Sequence, residues 1–227
     1  MNTDNVAKSR MRLRFARLEK AANLSHLDQI KVLRDMAAAS GLDCMPAKPG
    51  RTLIPKMAFG PSLPLGYESL CEYADLYLSQ PCKEEVVRAK LEAVQSEAFA
   101  LLSVKRVPVF FPSIEASVSA IGYLVGADFK EGFTQDTVDA FFAWASARYE
   151  KVKSTGVTET IDARPLVRSA EYDEAAGTLR LALMLEPGKN IKPEAALYVI
   201  AGREMKINKV VREELYWLDS QGRLEVI

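Results

Sequence analysis

Residues 10–17 read Arg-Met-Arg-Leu-Arg-Phe-Ala-Arg, an alternation that sets Met11, Leu13 and Phe15 on one side of an extended chain and Arg10, Arg12 and Arg14 on the other. This predicts a half-buried strand with an arginine face. The spacing then turns helical. Leu27, Ile30, Leu33 and Ala37 recur along one stripe, and Ser25 followed by Asp28 forms a capping-box pattern with Asp in place of Glu. A helix starting at His26 follows, stopped at Gly41, where a left-handed residue suits the end of a helix. Beyond Leu42, Pro46, Pro55, Pro61, Pro64 and Gly66 break the chain too often for a helix, so short strands and a long loop are expected. Residues 73–78 resume as a strand, with Glu72 just before it. Residues 83–97 carry Val86, Val87, Leu91 and Val94 on one side as an amphipathic helix, and 101–107 read as a strand ending at Pro108.

The order from 10 to 109 is therefore β-α-β-β-α-β, the ferredoxin-like pattern of two helices packed on one face of an antiparallel sheet. After Phe110-Phe111-Pro112 the order starts again. Residues 117–129 offer a strand, and Thr134 caps a helix carrying Val138, Phe141, Phe142, Ala145 and Tyr149. Residues 158–161 and 179–185 are extended, Pro193 at the first helical position opens a short helix, and 207–216 close the chain as a strand. The expected fold class is α+β, with tandem ferredoxin-like units at 10–110 and 116–227. The halves repeat a pattern and share no sequence identity.

Composition narrows the function classes. Lys plus Arg and Asp plus Glu number 30 each in 227 residues, so no whole-molecule field draws the chain to nucleic acid or an anionic membrane, and any basic surface is local. No apolar run reaches the roughly 18 residues that span a bilayer, and residues 1–10 lack the apolar centre of a signal peptide. A cytoplasmic location without a membrane partner is expected. Cys44, Cys71 and Cys82 are far apart and His26 is the only histidine, so neither an iron–sulfur cluster nor a structural zinc site has its closely spaced ligands. No cofactor or metal is expected.

Four stretches invite chemistry. The arginine face either lies against solvent or tracks phosphates with guanidinium groups about 7 Å apart. Ser25-His26-Leu27-Asp28 holds the three residue types of a hydrolase triad, but members within one helical turn cannot reach the common hydrogen-bond line that a triad needs. His26 is left as a lone general-base or binding candidate beside the capping reading. In the second half, the basic loop with Lys151 and Lys153 leads into Asp162-Ala163-Arg164-Pro165, and Glu186 to Asn190 forms a turn before a helix start.

Several segments together resemble a bacterial family of radical-SAM-linked proteins, a domain of unknown function fused to or encoded beside a radical S-adenosylmethionine protein. They are Met11-Arg12-Leu13-Arg14-Phe15, Leu24-Ser25-His26-Leu27-Asp28, the run from Pro55-Lys56-Met57 through Gly60-Pro61 to Ser69 with Glu72-Tyr73-Ala74-Asp75, and Ile161-Asp162-Ala163-Arg164-Pro165-Leu166. The resemblance implies an accessory or substrate-binding protein acting with such an enzyme, the partner holding the cluster. The alternatives are an RNA-binding protein in tRNA or rRNA modification, with Arg10, Arg12, Arg14, Lys151 and Lys153 on phosphates, and an endoribonuclease with His26 as general base. The candidate binding set is Arg12, Arg14, Ser25, His26, Asp28, Lys56, Lys151, Lys153 and Arg164.

Overall fold

A computed structural model describes residues 7–48, 54–94, 96–129, 132–152, 156–186 and 188–227. The chain is mixed α/β, with mostly antiparallel sheet and few helices. It divides into two compact units, Met1–Val118 and Ser119–Ile227.

The first unit contains β1 (Ser9–Arg17), a 3-10 turn (Glu19–Ala21), α1 (His26–Ala39), β2 (Met57–Phe59), β3 (Glu68–Leu78), α2 (Glu84–Glu92), β4 (Phe99–Val107) and a short α3 (Ile114–Ser117). Its strands lie in the order β4-β1-β3-β2, every pair antiparallel. The alternation in β1 decides the two faces. Met11, Leu13 and Phe15 join Ala74, Leu76, Phe99, Leu101 and Val104 under Leu33, Met36 and Ala37 of α1 and Val87 and Leu91 of α2. Fully burying a side chain such as Phe15 contributes about 2–3 kcal/mol.

The helix stripe differs from the expected one. Leu27 is 76% exposed, and the buried residues of α1 are Gln29, Leu33, Met36 and Ala37. These sit at i, i+4, i+7 and i+8, one face of a helix. Gln29 belongs to it because a polar network, described below, meets its amide. β3 likewise starts earlier than its apolar run, since Ser69 and Glu72 are buried within it. The 60–66 loop packs on this same unit. Leu63 and Tyr67 are buried, the Gly60 N–H donates to the Tyr73 carbonyl, and Gly66, at φ +83°, donates to Ala22.

The second unit contains β5 (Ala120–Ala127), α4 (Gln135–Ala143), β6 (Arg148–Val152), β7 (Thr158–Asp162), β8 (Val167–Asp173), β9 (Thr178–Met184), α5 (Pro193–Ala201), β10 (Ile207–Leu218) and β11 (Leu224–Val226). β10, β5, β9 and β8 lie in that order, antiparallel, with β11 on β10. α4 opens with the Thr134 N–H donating to Thr137 Oγ1 at 3.3 Å. α5 has Pro193 in its first turn and ends on Gly202, whose φ of +66° is open to a residue without a Cβ.

One expectation changes here. Residues 158–161 do not supply the second strand of the repeated pattern, because β7 pairs with β6 in a separate hairpin. The strand beside β9 is β8, whose sequence Val-Arg-Ser-Ala-Glu-Tyr-Asp is mostly polar. An edge strand with one wet face has few apolar residues by which to be found.

Candidate binding surfaces

The outer face of the first sheet is held by one carboxylate. Register places Arg12 opposite Asp75 and Arg10 opposite Tyr77. Asp75 is fully buried and accepts from Arg10 Nη2 at 2.5 Å, from Arg12 Nε at 2.8 Å and Nη2 at 3.1 Å, and from the Ile114 N–H at 3.3 Å. Arg10 is only 1% exposed and also donates to the carbonyls of Phe111 and Pro112, both at 2.6 Å. Its guanidinium stands 5.7 Å from the Tyr77 ring centre, which the exposed Lys56 ammonium also approaches at 5.1 Å. Arg14 donates to the Leu70 carbonyl at 3.0 Å and stacks over Tyr73. The row expected to face solvent or phosphate is therefore largely engaged within the unit. The chain after β4 returns over this face, and two charge-assisted bonds from Arg10 pin it there.

The helix side of the same sheet carries a second network. Arg17, 1% exposed, donates to the carbonyls of Ala21, Ala22 and Leu24 and to Gln29 Oε1, over 2.7–3.0 Å. Gln29 Nε2 in turn donates to Glu72 Oε2 at 2.8 Å. This network fixes the chain entering α1. Ser25 then caps the helix: its Oγ accepts the Asp28 N–H at 3.2 Å and donates to Asp28 Oδ2 at 2.6 Å. The Asp28 carboxylate is thus turned to Ser25. The half-buried His26 keeps its Nδ1 enclosed with no hydrogen-bond partner among the described residues. Ser25→Ala is expected to cost about 1 kcal/mol, read as a shift in the urea midpoint. An unchanged midpoint would mean that the Arg17 network alone sets the helix start.

Ser25, His26 and Asp28 therefore sit on the helix side of the sheet, and Arg10, Arg12 and Lys56 on the other. They form no common cleft within the unit. Lys151 and Arg164 belong to the second unit, and Lys153 lies outside the described residues.

In that second unit, Arg164 is a brace. Its guanidinium stacks over Phe142 at 4.7 Å and Phe141 at 5.6 Å, and donates to the Phe142 carbonyl at 3.2 Å, near the end of α4. Asp162 Oδ1 accepts the Ala147 N–H at 2.8 Å and the Arg164 N–H at 3.1 Å. Together they fix the base of the β6–β7 hairpin against α4. An open groove of about 750 Å³ lies along this hairpin, lined by Arg148, Tyr149 and Glu150 of β6, Glu194 and Tyr198 of α5, and Glu204 beyond it. Tyr149 and Tyr198 meet edge to face at 6.2 Å. Lys151 donates to Asn190 through its carbonyl and its Oδ1, at 3.0 and 3.1 Å. Sequence reasoning missed this groove because Tyr149 read as part of a helix and β6 carried no apolar alternation.

Among the described residues no helix is long and apolar enough to cross a membrane, and no group of three His, Cys, Asp or Glu side chains is placed to hold a metal ion. The cysteines are unbridged. Burial pushes the Cys44 thiol up from its ordinary value near 9 to about 11, the Asp43 carboxylate adding to the rise and Lys90 opposing it. Only Cys82, half-exposed, should react promptly with a disulfide reagent at pH 8, whereas the buried Cys44 and Cys71 wait for unfolding. The raised value means that the folded chain holds this proton more tightly than the unfolded one. Its stabilising contribution is full below pH about 9 and lost by about 11, so stability should fall across that window. Three thiols reacting in one fast phase would contradict the burial.

Residues 10–193 match a family described as "Uncharacterized protein conserved in bacteria (DUF2344)". The chain belongs to this family. The match takes in the first unit from Arg10 onward and most of the second, including Arg10, Arg17 and the braced hairpin. No curated protein matches the chain. Among solved structures, a chain of "Crystal Structure of a Cbf5-Nop10-Gar1 Complex" is similar at 10% identity with a TM-score of 0.45. That likeness covers 89% of this family member and 48% of the other chain, so this protein spans about half its length.

Proposed function

We propose that this protein is a non-catalytic accessory subunit that binds substrate or partner for a radical S-adenosylmethionine enzyme. The observation that carries the reading is the use made of Asp162 and Arg164. These members of a segment resembling the radical-SAM-linked proteins brace a hairpin beside an open groove. A braced, concave, partly aromatic surface suits binding. The resemblance in Met11–Phe15, Leu24–Asp28 and Pro55–Asp75 adds that such a binding protein would serve an enzyme holding the cluster. We also read each unit as ferredoxin-like, supported by the strand orders β4-β1-β3-β2 and β10-β5-β9-β8.

The RNA-binding alternative has less to draw on, since Arg10 and Arg12 are committed to Asp75. A ribonuclease using His26 would need an acid turned to its imidazole, and Asp28 is instead bonded to Ser25.

The test is co-purification of the tagged full chain from its own host, followed by reconstitution. The expected result is a radical S-adenosylmethionine enzyme in the eluate whose substrate turnover rises when the chain is added. Repeated recovery without such an enzyme overturns the reading, as does turnover by the chain alone.

A further inference from the structure

β6 is an edge strand, and among the described residues its outward main-chain groups are unused. The Ala163 N–H donates to the Ala147 carbonyl at 2.7 Å, and the register continues as Arg148 opposite Asp162 and Tyr149 opposite Ile161. In an antiparallel pair, hydrogen-bonded residues alternate with residues whose N–H and C=O point away from the partner strand. Tyr149 and Lys151 therefore bond to β7, while Arg148, Glu150 and Val152 aim theirs outward. Among the described residues, no hydrogen bond reaches those outward groups.

The groove runs beside this edge. Arg148, Tyr149 and Glu150 line its larger part, and Tyr149, Lys151 and Val152 line a continuation of about 370 Å³. Consecutive residues of one strand lining one groove means that the edge of the strand opens into it, since either face alone would contribute every second residue. Five residues at roughly 3.3 Å each make a slot about 17 Å long, the length of a short strand. The opposite wall is α5, with Glu194, Ala195 and Tyr198.

The slot has unlike ends. Glu150 and Glu204 gather with one arginine near the Arg148 end, and that arginine lies 3.7 Å from Glu150. Lys151 and Lys192 line the end near Val152, and Glu194 lies between the two ends, lining both parts of the groove.

We infer that this groove takes an extended peptide segment of a partner protein, added to β6 as a third strand, with its basic side chain at the Glu204 end and its acidic one at the Lys192 end. Main-chain hydrogen bonds to an exposed edge supply affinity in this mode, and the charged ends supply direction. Antiparallel addition places the basic residue toward the C-terminus of the segment. A second copy of β6 is a poor occupant: antiparallel self-pairing centred on Glu150 would set the two Glu150 carboxylates opposite each other, and like charges directly opposite are destabilising. The inference is independent of which enzyme the protein serves, so its failure and that of the proposed function are distinguishable.

The test titrates the full-length, 15N-labelled chain with the capped peptide Glu-Val-Thr-Val-Thr-Lys. The Arg148, Glu150 and Val152 amides should shift on one saturating curve, while those of Tyr149 and Lys151 move less. Glu150→Pro removes an outward N–H without breaking a β6–β7 bond and should weaken binding about tenfold or more. If that variant does not fold, N-methylation of alternate peptide amides asks the same question of the wild-type chain. The reversed peptide should bind more weakly than the original. Three outcomes overturn the proposal: no saturable shift at millimolar peptide, equal binding of the N-methylated peptide, or a concentration-dependent dimer that Glu150→Pro abolishes, which would make a second copy the occupant.

Discussion

Asp75→Ala should lower the unfolding free energy by about 3–5 kcal/mol, the usual cost of removing one member of a buried ion pair. The mechanism is uncompensated charge. Two guanidinium groups, one of them 1% exposed, would face each other with no anion between them, and the Ile114 N–H would lose its acceptor. Asp75→Asn keeps one acceptor oxygen and should lose less. Chemical denaturation followed by circular dichroism gives the global figure, and hydrogen exchange of the β1 amides shows whether the loss is centred there. A midpoint unmoved by Asp75→Ala would mean that water reaches both guanidiniums, contrary to the burial of Arg10.

Arg17→Met comes next in size, at about 3 kcal/mol. The methionine fills a similar volume but leaves the Leu24 carbonyl and the Gln29 amide oxygen without this donor, while the Ala21 and Ala22 carbonyls keep the Leu24 and Gly66 N–H groups, and each buried orphan costs about 1–3 kcal/mol before relaxation. Arg17→Lys should recover only a minor part. An ammonium offers three donors from one point, whereas the guanidinium spreads its donors across acceptors on three sides. The same variants should loosen the start of α1, read as faster exchange at Gln29 and Ile30. Full rescue by lysine would show that the charge matters there and the fork does not.

The alternation in β1 and the capping serine before His26 were legible because each is a local rule: a period of two, and a hydroxyl three residues from an acid. What sequence reasoning could not supply was the partner of each charge. Arg10 and Arg12 read as a surface row because Asp75 is more than sixty residues away, and only the register of β1 on β3 brings it opposite. Gln29 and Glu72 were passed over for the same reason. A polar residue in an apolar stripe gives no sign of its burial until the group that satisfies it is known. The strands β6 and β8 escaped notice because charges dominate them, and charged edge strands resemble loops in pattern. Of the candidate residues, Ser25 and Asp28 form the cap, Arg164 and Lys151 position the hairpin, and the groove itself emerged only from packing.

The Arg17 clamp also governs how the chain can vary. Its side chain reaches Ala21, Ala22, Leu24 and Gln29 in a fixed sequence of steps along the connection from β1 to α1. Adding or removing one residue between Arg17 and Ser25 would carry at least one of those carbonyls out of reach and rotate the helix start. Connections usually absorb length changes easily. In this one, length is part of the fold, and relatives that keep the arginine should keep the count.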